Sequence, residues 1–128
     1  MEKEFTFEDS LKIKSLLAEF YETISSLIDF IDICEPGLVN GLGKLNGESP
    51  SILLIKEKKK ELLINLRKTR VQCLESYSKL NIISCEIENS VRIEFELFDR
   101  ALRIIKDTEA FIRQTEDIRI LLNLEHMN

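Results

Sequence analysis

Apolar residues along the first third of the chain recur at steps of four and three: Ile13, Leu17, Phe20, Ile24, Leu27, Ile31 and Cys34. That spacing places all seven side chains on one face of a helix. Leu16, Ile28 and Phe30 widen the stripe beyond a two-stranded seam, so the helix is expected to touch more than one neighbour. Thr6 is the expected cap, Glu8 and Asp9 suit the positive end of the helix dipole, and Phe5 is placed to act as a staple. Pro36 and Gly37 are read as the end of this helix, predicted over 7–34, because proline cannot continue the hydrogen-bond ladder.

All four glycines and both prolines fall between Pro36 and Pro50, so residues 35–49 are predicted to be a loop. It is long for a structureless connection, and it carries Leu38, Val39, Leu42 and Leu45. Two roles stay open for it: packing back over the end of the bundle, or ordering on a partner through Leu38, Leu42 and Leu45. Ser49 as cap and Pro50 as first residue then start a second helix, predicted over 50–80. Its apolar set is Ile52, Ile55, Leu62, Leu63, Leu66, Val71, Cys73, Leu74, Tyr77 and Leu80. Lys59 interrupts the stripe, which puts the lysine-rich turn near an end of the bundle.

No glycine or proline marks the next boundary. Asn81, Ser84, Asn89 and Ser90, with β-branched Ile82 and Ile83 among them, place a turn within 81–90. Without that turn, residues 50–122 would form one helix about 110 Å long that needs an oligomeric partner to cover its stripe. The third helix is predicted over 90–123 from two adjacent rows. One is Val91, Phe95, Phe98, Leu102, Ile105 and Ile112; the other is Leu97, Ala101, Ile104, Phe111, Ile118 and Leu122. Arg92, Arg100, Arg103, Arg113 and Arg119 alternate with acids on the outside. The pattern as a whole predicts one all-α domain over 1–128, an antiparallel, coiled-coil-like three-helix bundle, with oligomerisation left open.

Composition supports that picture. At 128 residues, 44% apolar and 32% charged, the chain has enough material for a core. No run of about 18 apolar residues is present, so no membrane span is expected. The start, Met1-Glu-Lys-Glu-Phe, lacks an apolar signal core, and the expected location is the cytoplasm. The net charge of −5 is unevenly spread. Residues 1–35 and 81–128 are acidic and 50–80 basic, which suits a middle helix packed between two acidic ones. Cys34, Cys73 and Cys85 are odd in number, far apart and flanked by apolar residues. They are read as small buried hydrophobes rather than a disulfide framework. With His126 as the one histidine, neither a metal site nor histidine-based catalysis has its donors, and no cofactor is expected.

Two further motifs are weighed and set aside. Gly41-Leu-Gly-Lys-Leu45 lacks the spacing of a phosphate loop, and a helix rather than a strand precedes it. The basic run Lys56–Arg70 is a plausible nucleic-acid footprint, but its acidic neighbours and the overall acidity count against it. A helical-bundle enzyme working through Arg, Lys and carboxylates, of the chorismate-mutase kind, would need a convergent buried pocket. The feature left over is apolar excess near the end. Phe111, Ile112, Ile118, Ile120, Leu121, Leu122 and Leu124 cover more than one helix face. Such a surface serves partner capture, a homodimer seam or extra core.

In size, acidity, layout and the leucine-lysine texture of residues 52–68, the chain resembles flagellar export chaperones of the FlgN type. That resemblance implies a cytoplasmic chaperone that holds a secretion substrate on its C-terminal amphipathic helix. The role would fall on Ile112, Ile118, Leu121 and Leu122. The expected function is therefore a small non-enzymatic protein-binding module, with a self-associating adaptor as the alternative.

Overall fold

The computed structural model describes residues 7–90 and 94–127, and every regular element among them is an α-helix. Helix α1 spans Phe7–Lys44, α2 Pro50–Glu88, α3 Phe95–Gln114 and α4 Glu116–Met127. Thr6, Phe5, Val91 and Arg92, to which the sequence assigns roles, lie outside the described residues.

The stripe of α1 behaves as its spacing predicts: Ile13, Leu17, Ile24, Leu27, Ile31 and Cys34 are buried and Phe20 packs against them. The helix does not stop at Pro36, however. It runs ten residues past Cys34 to Lys44, with the proline inside it. Leu38 and Leu42 continue the inward face at steps of four from Cys34; Leu38 is 3% exposed and Leu42 is partly buried against the core. An interior proline costs a helix about 3 kcal/mol, and burying one full leucine and part of another returns a comparable amount. Tertiary burial therefore overrides local propensity, and the predicted loop of 35–49 shrinks to 45–49. Gly47 carries the turn there with φ of 109°, a backbone region open to glycine at little cost.

Helix α2 begins as expected. Ser49 is extended, its hydroxyl accepts from the Ile52 amide at 3.3 Å, and Pro50 opens the first turn. At its other end α2 runs eight residues past the predicted end at Leu80, to Glu88, because Ile83 and Ile87 are buried at the core, and the turn falls at the close of the predicted 81–90 window. The true stop is Asn89, whose amide donates to the Cys85 carbonyl at 3.0 Å, and Ser90 follows with its hydroxyl on the Glu86 carbonyl. A single helix over 50–122 is thus excluded: Asn89, Ser90 and Glu94 are not helical.

Helices α1 and α2 lie side by side and run in opposite directions. Tyr21 meets Tyr77, Asp32 meets Arg70 and Glu35 meets Arg67, while Gly41 lies beside the Lys59 amine. The two tyrosine hydroxyls hydrogen-bond, with ring centroids 4.4 Å apart. That bond, and then burial, raises the Tyr21 pKa. The seam carries charge as the sequence suggests. Arg70 Nε donates to Asp32 Oδ1 and Arg67 Nε to Glu35 Oε1, each at 2.7 Å. Arg100 forks onto Glu86 at 2.8 and 3.3 Å, tying α3 to α2. At such exposure these pairs select register more than they stabilise, at about 0.2–1 kcal/mol each. One continuous core runs through the helices, centred on Ile24, Leu66, Cys73, Leu80, Ile83 and Ala101.

Candidate functional site

The predicted third helix is two elements, α3 and α4, separated by Thr115. Its hydroxyl donates to the Ile112 carbonyl at 2.7 Å, and its amide reaches both the Phe111 and Ile112 carbonyls. Arg119 Nη2 adds a longer bond to the same Ile112 carbonyl at 3.3 Å. The Thr115 amide still donates to the Phe111 carbonyl at 3.1 Å and the Arg119 amide to the Thr115 carbonyl at 3.0 Å, so the break is one residue wide, and Glu116 and Asp117 then occupy the first turn of α4.

The apolar excess of residues 111–124 falls in several different surroundings. Leu122 is 1% exposed and belongs to the core, so its predicted role as a partner contact is corrected. It borders a recess of about 130 Å³ with Cys34, Gly37, Leu38 and Glu125. Ile112 faces α1, in a groove of about 410 Å³ shared with Glu19, Glu22, Phe30 and Arg119. Phe111 and Ile118 face α2, lining a groove of about 290 Å³ with Asn65, Lys68, Gln72 and Thr115. Leu121 and Leu124 are 51% and 55% exposed, and Ile120 beside them is similarly open. The helical period explains the division: Leu121 and Leu122 are neighbours in sequence but about 100° apart around the axis.

The loop contacts are corrected too. Leu38 and Leu42 belong to the inward face of α1, and only Leu45 lies in the connection, half-buried. Gly41-Leu-Gly-Lys44 forms the last turn of α1. A helix C-terminus presents carbonyls and the negative end of the dipole, which opposes phosphate binding on physical grounds.

One residue and one pairing lie outside the sequence reading. The sequence groups Arg119 with the outer arginines, yet it is partly buried, and its enclosed Nε has no hydrogen-bond partner among the described residues. Its six-residue offset from Arg113 was a legible hint, since six steps turn a helix about 240° and onto another face. Lys59 was placed near a bundle end. Its amine pairs with Glu125 Oε2 at 2.8 Å, both side chains partly covered, where the end of α1, the start of α2 and the end of α4 meet.

The chemistry on offer is that of packing and charge. Among the described residues, no cluster of three or more histidine, cysteine, aspartate or glutamate side chains is arranged to hold a metal ion. No helix is long and apolar enough to cross a membrane. Cys34 and Cys73 are buried as expected, and burial pushes the Cys73 thiol up to about 11, opposed in part by Arg70. Cys85 departs from expectation and is exposed. Neither a family model, a curated protein nor a solved structure matches the chain.

Proposed function

We propose that this chain is a small protein-binding module that captures an amphipathic helical segment of a partner on the α4 side of the molecule. The observation that carries the reading is the exposure of Ile120, Leu121 and Leu124 on one short helix whose neighbours Phe111 and Ile118 line the groove toward α2. Exposed aliphatic side chains on a helix flanked by a groove with Phe111 and Ile118 in its wall and polar residues around them suit the helix-in-groove mode, in which a partner helix buries residues at steps of three and four. In this reading the architecture is an antiparallel three-helix bundle whose third arm, α3 with α4, is bent at Thr115. The chain acts without catalysis, in the cytoplasm. The export-chaperone resemblance supplies the sharpest version, in which the partner is a secretion substrate.

The test changes Leu121 and Leu124 together to serine. Both are exposed, so helix content should hold, while affinity for a captured partner should fall about 10–100-fold. Retained capture by a folded double variant would overturn the proposal. Ile118→Ser is less clean, because Ile118 also packs against the core.

A further inference from the structure

Helix α2 carries a second apolar row on the side away from the core. Leu53, Ile64, Val71 and Ile82 are 51%, 64%, 55% and 54% exposed. Leu53 and Val71 are eighteen residues apart, as are Ile64 and Ile82, and eighteen residues make five turns of an α-helix. The intervening step of eleven residues deviates from three turns by only about 20°, so the four side chains form one straight line. The core residues Leu66, Cys73 and Leu80 occupy the opposite side of the same helix. None of the four is buried by the described residues.

The row is also self-complementary. Leu53 and Ile82 are equidistant from a point between Arg67 and Lys68, and so are Ile64 and Val71. A two-fold interface requires that residue i meet j while j meets i. Turned end over end about that point, a second copy would set Leu53 level with Ile82 and Ile64 level with Val71, apolar on apolar at all four places. The two cations at the centre are directed off the row: Arg67 is held by Glu35 of α1, and Lys68 lines the groove toward α3. Away from the centre, Lys60 comes level with Glu75 of the second copy. The strip is about 43 Å long and about 10 Å wide, so two of them give a flat footprint of about 860 Å². That is below the roughly 1,200 Å² of stable specific interfaces and within the range of weak, transient ones, so the pairing is expected at micromolar rather than nanomolar concentration.

We infer that the outer face of α2 is a two-fold self-association surface, on which two copies of this chain pair with their α2 helices running in opposite directions. The surface adjoins the α4-side groove through Lys68, but Ile64 and Val71 line only the outer face of α2, so either surface can fail without the other. Light scattering of the full chain at tens of micromolar should give twice the 14.9 kDa of one copy. Ile64→Ser with Val71→Ser should weaken the dimer at least about 100-fold with helix content unchanged. A second measurement needs no apolar substitution. Cys85 is the exposed thiol of the three, and spin labels on the two Cys85 side chains should lie about 50 Å apart in the opposed pairing, against under about 20 Å in a parallel one. A monomeric chain, a dimer that survives the double serine variant, or a short Cys85 separation would each overturn the inference.

Discussion

Replacing Leu122 by alanine removes three carbons from a side chain that is 1% exposed, next to a neighbour, Leu121, that is half in solvent. Losses for buried Leu→Ala span about 2–5 kcal/mol, according to how far the surroundings collapse into the space left. Around Leu122, collapse is restricted. Cys34, Gly37 and Leu38 belong to one continuous helix, and the recess of about 130 Å³ beside them already lacks filling atoms. The expected loss is about 3 kcal/mol, which for a chain of this size lowers the melting temperature by about 10–15 °C. Leu121→Ala removes the same atoms from a site that stays half in solvent and should cost about 0.5–1 kcal/mol. The assay is urea and thermal unfolding followed by far-ultraviolet circular dichroism, with both variants compared at equal m-value. If the two cost the same, or Leu121→Ala costs more, then α4 docks on a different face and the surface assigned to partner capture is wrong.

Other outcomes follow from the same packing. Gly37→Ala and Gly43→Ala should each stabilise by about 0.5–1 kcal/mol in urea titrations, since both glycines are helical and a methyl group at either meets no atom within 4 Å. Had these residues formed a loop, the same changes would be neutral or unfavourable. Of the three thiols, Cys85 should react with a disulfide reagent within seconds at pH 8, and Cys34 and Cys73 only on unfolding; a second fast thiol would refute their burial. Because folding raises the Cys73 thiol from 9.0 to about 11, the unfolded chain releases this proton first as pH rises. The contribution is fully present below pH 9 and is lost between pH 9 and 11. Comparing stability across that window should show a shallower decline in Cys73→Ala than in the parent.

The all-helical class was legible because the apolar spacing of α1 and α3 is regular over many turns, and the Ser49-Pro50 start was legible because capping is local chemistry. What sequence concealed was decided by contacts distant along the chain. Pro36 and Gly37 have the residue types of a terminator, yet Leu38 and Leu42 keep the four-step spacing from Cys34 and are buried. Ile83 and Ile87 likewise carry α2 past Asn81 and Ser84, so that of the four breaking residues in 81–90 only Asn89 and Ser90 make the turn. Helix α2 is apolar around most of its circumference, so period alone could not separate inward Leu66 and Cys73 from outward Val71 and Leu74. The region 111–124 was picked out correctly as apolar on more than one face. The helical period and the packing of α4 separate Leu122, which is core, from Leu121 and Leu124, which are open.

The claim that these two leucines receive a partner is tested most directly by site-specific photo-crosslinking in the native host. A photoactivatable residue at Leu121 should give a discrete covalent adduct with one protein, while the same residue at Ile33, which is exposed on α1, should give none. Adducts at Ile33 and not at Leu121, or no adduct at Leu121 with the chain folded and present, would contradict the account.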